Sequence, residues 1–85
     1  MIGFGQGHCN ADYLRGWDGK GTASQDACNQ VCENEEDCTF AAFLKDTSCS
    51  RFKGTECVLE VGTQNARSYF TFKKHTEKPG GIILI

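Results

Sequence analysis

The chain predicts a small disulfide-stapled α+β domain, one helix packed on a small antiparallel sheet, and three observations predict it. Six cysteines stand in 85 residues, an even count. A chain this short buries too little apolar surface to hold itself without covalent or metal help. One capped segment near residue 25 carries an apolar stripe at helical spacing. Downstream, short apolar or alternating runs are separated by polar turns, which is strand-and-hairpin patterning.

Residues 1–21 are rich in glycine and read as extended chain and loop, with a short strand near Cys9 or Tyr13-Leu14. Thr22-Ala23-Ser24-Gln25-Asp26 is a helix start. Either hydroxyl can cap, Thr22 and Gln25 have capping-box spacing, and Asp26 suits the positive end of the helix dipole. The helix should run from about Gln25 to Glu33 or Asn34 and bury Ala27, Cys28, Val31 and Cys32. The acidic run Glu33–Asp37 ends it as a solvated turn. Thr39–Leu44 is then a strand with Phe40, Ala42 and Leu44 on one face and Thr39, Ala41 and Phe43 on the other. Lys45–Ser48 turns into Cys49–Phe52; Cys57–Val61 and Ser68–Lys74 complete the sheet, with a loop over 62–67. The expected division is an extension over 1–8, the domain over 9–74 and a tail over 75–85.

Cys9, Cys28, Cys32, Cys38, Cys49 and Cys57 do not have the paired Cys-x2–4-Cys spacing of a structural zinc site, and His8 and His75 belong to no close ligand pair. Disulfides are the favoured reading, with no metal and no cofactor. Disulfides imply an extracellular or otherwise oxidising compartment. Met1–Gly5 lacks the basic start and apolar core of a signal peptide, so the chain reads as a mature segment or an expressed domain.

The run Cys28-Asn-Gln-Val-Cys32-Glu-Asn-Glu-Glu-Asp-Cys38-Thr-Phe-Ala-Ala-Phe43, with Cys49 after it, resembles the core of PAN/apple domains. The resemblance extends over roughly residues 9–74. It implies a helix tied to its sheet by Cys28–Cys49 and Cys32–Cys38, and leaves Cys9 to pair with Cys57 near the terminal strands. It also implies an extracellular recognition domain for carbohydrate or protein, as in adhesion.

No catalytic constellation is expected. There is no G-x-S-x-G elbow and no Walker loop, and Gly3, Gly5 and Gly7 follow no strand that would make them a nucleotide fingerprint. The acidic run lacks EF-hand spacing. A net charge of −2 argues against nucleic acid, and no apolar run is long enough for a membrane span.

Two surfaces are candidates for binding. One is the loop bearing Tyr13, Arg15, Trp17, Asp18 and Lys20, where Trp17 would stack on a sugar ring while its charged neighbours bond the hydroxyls. The competing and favoured reading has Trp17 covering the core. The other is basic. Residues 1–44 hold two bases and seven acids, residues 45–85 seven bases and four acids. Among these bases Lys45, Arg51, Lys53, Arg67, Lys73, Lys74 and Lys78 would face an anionic glycan or acidic protein, or form ordinary solvated sheet edges. The tail Ile82-Ile83-Leu84-Ile85 would add a strand to its own sheet or to a neighbour's, or end as a frayed terminus. The functional expectation is a non-enzymatic extracellular recognition module. The alternative is a subunit of an extracellular filament or other homo-oligomer, joined head to tail by that strand.

Overall fold

The computed structural model describes residues 1–74; His75, Lys78 and the tail strand Ile82–Ile85 lie outside the described residues. The chain folds as β1 (Ile2–Gln6), β2 (His8–Cys9), β3 (Tyr13–Arg15), α1 (Gln25–Asn34), β4 (Phe40–Leu44), β5 (Ser48–Phe52), β6 (Leu59–Glu60), α2 (Gln64–Arg67) and β7 (Phe70–Lys73). Five strands make one antiparallel sheet in the order β1-β7-β4-β5-β3, and β2 pairs with β6 in a separate ribbon.

Alternation along β4 divides the core in two. Phe40 and Ala42 pack with Cys9, Phe52 and Tyr69, against which Leu44 also lies. Ala41 turns the other way, into Cys28, Cys32, Cys38 and Cys49, with Phe43 alongside. The sheet is therefore the middle layer. Helix α1 covers one face, and the β2–β6 ribbon lies on the other. Half-cystines supply most of the helix-side core, which explains how so few large apolar residues suffice.

Helix α1 begins at Ser24, whose hydroxyl accepts from the Ala27 N–H at 3.1 Å. Thr22 does not cap the helix. Its carbonyl accepts from the Asp46 N–H at 2.9 Å, which ties the helix entry to the β4–β5 turn. Cys28 and Cys32 are fully buried, one helical turn apart, whereas Ala27 and Val31 are half-buried. The three disulfides are Cys28–Cys49 and Cys32–Cys38, the pairs the resemblance implies, and Cys9–Cys57, the pair it leaves over. No cysteine is free. Three bridges in so small a domain suit an oxidising environment.

Several boundaries differ from expectation. Residues 1–8 contribute β1 and the start of β2: the Gly-rich segment pairs with β7 from Ile2↔Lys73 to Gln6↔Phe70, with a bulge between Gly3 and Gly5. Only Leu59–Glu60 of the expected third strand is extended in register, opposite His8–Cys9. The loop over 62–67 contains α2, capped by Thr63, whose hydroxyl accepts from the Ala66 N–H at 3.0 Å. Among the described residues no helix is long and apolar enough to cross a membrane.

Candidate functional site

The loop after β3 is placed by Gly16. A methyl group at this residue would sit 2.7 Å from the Ser50 Cα, so only glycine lets the loop cross β5 this closely. The next two side chains then part company. Asp18 turns to Arg51 on the helix side of the sheet. Trp17 borders a cleft on the opposite side and is 71% exposed. The expectation that Trp17 covers the core is thereby overturned: Phe40, Phe52 and Tyr69 are the buried rings of the core on that side.

The cleft has a volume of about 470 Å³, within the usual range for small-ligand sites. Phe52 and Tyr69, both buried, belong to its lining, with Tyr13 and Trp17 as its more exposed rings. Four of the lining rings form a continuous array. Tyr13 meets Phe52 edge-to-face at 5.7 Å, His8 lies parallel to Phe52 at 6.3 Å, and His8 meets Tyr69 edge-to-face at 5.1 Å. His8 is fixed by its Nδ1–H, which donates to the Cys9 carbonyl at 2.8 Å. The Tyr69 hydroxyl donates to Ser48 Oγ, which bonds Ser50 Oγ in turn. Asp12 and Glu60 are the two acidic residues of the lining. Asp12 occupies the left-handed backbone region at φ 64°, which aspartate tolerates better than most residues, and its carbonyl accepts from the Lys53 N–H at 3.0 Å.

Several sequence-derived candidates belong instead to an ion-pair network on the helix side. Arg51 is fully buried. Its guanidinium donates to both carboxylate oxygens of Asp18, to both of Glu35 and to the Cys49 carbonyl. Glu35 also accepts from Arg15 at 2.9 Å, and Arg15 forms a two-point pair with Asp37. One carboxylate thus separates two arginines that face each other across β3 and β5. Arg51, Arg15 and Asp18 accordingly have partners within the domain. The acidic turn, expected as a solvated helix end, supplies their counter-charge. Part of the charge asymmetry between the two halves of the chain is neutralised within one molecule.

Among the described residues, three of the other bases have contacts of their own. Lys74 donates to the Glu35 carbonyl at 2.8 Å, Lys73 lies 5.9 Å from the Phe40 ring centre, and Arg67 donates to the Val61 carbonyl. Lys20 and Lys53 are exposed. The basic surface read from sequence therefore loses Arg51 to the interior and Lys74 to the helix end.

The network sets an acid limit on stability. Hydrogen bonds from Arg51 hold the Asp18 and Glu35 carboxyls below the usual carboxylate range, and Arg15 does the same for Asp37; desolvation opposes each shift without reversing it. A carboxyl whose pKa is lowered by folding adds stability above its unfolded pKa of about 4 and loses it as pH falls through the folded value. The expected denaturation midpoint is level from about pH 7 to pH 5 and falls below about pH 4. Urea unfolding followed across that range checks this, and a midpoint still level at pH 2 would contradict it.

Compared with family models, curated proteins and solved structures, the chain matches none.

Proposed function

We propose that this chain is a non-enzymatic extracellular recognition module of the PAN/apple kind, binding a carbohydrate or protein ligand in the cleft beside Trp17. The observation that carries the reading is the exposure of Trp17 at an aromatic-lined cleft, within a domain that has no packing need to leave it there. Large aromatic side chains with solvent-facing rings are effective recognition groups because they lose little conformational freedom on contact. The PAN/apple resemblance supports the fold and the compartment, as do the three bridges.

Panels of immobilised glycans and extracellular proteins, probed with the intact chain, test the proposal. Trp17→Ala and Tyr13→Ala are each expected to weaken binding about tenfold or more. Lys53→Ala and Lys73→Ala are expected to leave it within about twofold, since neither side chain lines the cleft. Binding that survives both aromatic substitutions and falls with the lysines would move the site to the basic surface.

A further inference from the structure

We infer that the cleft accepts a cationic group, specifically a lysine or arginine side chain presented by a partner protein. The inference rests on the proposed cleft and narrows its ligand class.

Three features of the lining point to a cation. Among the described residues its charged side chains are Asp12 and Glu60, and it includes no lysine or arginine. The base nearest in connectivity, Lys53, touches Asp12 through its backbone N–H, and its side chain is not part of the lining. The second feature is the aromatic wall. Ring faces carry negative potential and attract ammonium and guanidinium groups, tryptophan most strongly. Trp17 and Tyr13 are 71% and 49% exposed, so both rings are accessible.

The third feature is the balance of hydrogen-bonding groups. The Tyr69 hydroxyl donates to Ser48, and Ser48 and Ser50 bond each other. These two bonds use two of the three hydroxyl hydrogens, while Asp12 and Glu60 carry carboxylates that only accept. Glu60 Oε2 already takes the Gly62 N–H at 2.8 Å, which holds that side chain in place. The two charged groups of the lining are both acceptors, which complements a ligand group that donates and carries positive charge. Lysine and arginine are such groups.

The test uses the intact oxidised chain and the fluorescence of Trp17, the single tryptophan. Short glycine-spaced peptides carrying lysine, arginine, norleucine or citrulline are titrated at low and high salt. The charged peptides are expected to bind about tenfold more tightly than their neutral counterparts and to weaken as salt rises. Asp12→Asn with Glu60→Gln should reduce the charged-peptide affinity about tenfold while leaving the circular dichroism spectrum unchanged. Asparagine tolerates the left-handed backbone at residue 12, and glutamine retains an oxygen for the Gly62 N–H. Equal affinity for lysine and norleucine would overturn the inference and leave an apolar recognition cleft. Neutral glycans that compete at Trp17 while the basic peptides do not would also overturn it, leaving the module's proposed function intact. No Trp17 response to any peptide or glycan would overturn both.

Discussion

Arg51→Ala is expected to cost about 3 kcal/mol, near the lower end of what breaking a buried ion pair costs. The substitution removes every donor that Arg51 supplies to Asp18, to Glu35 and to the Cys49 carbonyl. Glu35 keeps Arg15 as a partner, and Asp18 reaches solvent in part, which keeps the loss from the upper end. For a domain of this length the melting temperature should fall by roughly 12–24 °C. Arg51→Lys should fall between wild type and alanine, because a single ammonium group cannot span two carboxylates as a planar guanidinium does. A cycle built from Arg51→Ala and Glu35→Gln should be clearly non-additive, since both act on one network. Urea unfolding with the bridges intact gives each number. A loss under about 1 kcal/mol for Arg51→Ala would place the stability of this side of the domain elsewhere. The same variant has a consequence for the cleft. Asp18 is anchored by Arg51 and adjoins Trp17, so releasing it should broaden the Trp17 environment and weaken binding by the otherwise unaltered lining.

What the sequence discloses and what it conceals divide along a physical line. Helix α1 and strands β4 and β5 are legible because their signals are local: a capping serine, cysteines one turn apart, and period-two alternation that separates Phe40 and Ala42 from Ala41 and Phe43. Strand β1 is concealed because glycine occupies two of the five positions in Ile2–Gln6 and lends little strand preference. It becomes a strand only through pairing with β7, more than sixty residues away. Arg51 is concealed for a related reason. It lies 33 residues from Asp18 and 16 from Glu35, so no local window shows its partners, and an arginine within Cys49-Ser50-Arg51-Phe52 reads as a surface group. A signal is nevertheless present. Alternation puts Arg51 on the same face as Cys49, and the resemblance bonds Cys49 to the helix. An arginine on a buried strand face demands acids, and the helix ends in five residues of which four are acidic. The cleft is half legible. Tyr13 and Trp17 fall within the expected loop with Asp12 beside them, while His8 and Glu60 join them through the β2–β6 ribbon and Tyr69 from the residue before β7.

Removing the bridges one pair at a time should separate holding the fold from holding the cleft. The three are nested: Cys9–Cys57 encloses Cys28–Cys49, which encloses Cys32–Cys38, with separations of 48, 21 and 6 residues. An inner bridge shortens the free loop that an outer one closes, so Cys9–Cys57 acts on an effective loop of about 28 residues in the chain-entropy model. On that basis the outer, middle and inner pairs contribute about 3.5, 3 and 2 kcal/mol respectively. Chain entropy alone would thus rank Cys9→Ala/Cys57→Ala as the most damaging change. Packing reverses the first two places. Cys28 and Cys49 are both fully buried between α1 and the sheet, so truncating them also leaves a cavity in the helix-side core. Cys57 is only half-buried, at the margin of the opposite core. Cys28→Ala/Cys49→Ala is therefore expected to lose the most, about 4 kcal/mol or more, against a usual total of roughly 5–10 kcal/mol for small domains. Most such molecules should be unfolded by 37 °C. Cys9→Ala/Cys57→Ala should stay folded at 25 °C but release the ribbon that brings His8 and Glu60 to the cleft. Its circular dichroism would keep the helix signal while its ligand affinity falls. Thermal unfolding followed by helix signal, set beside Trp17 titrations of the same variants, distinguishes the two roles. Equal losses of helix and of binding in both variants would show that the ribbon and the helix fold as one cooperative unit.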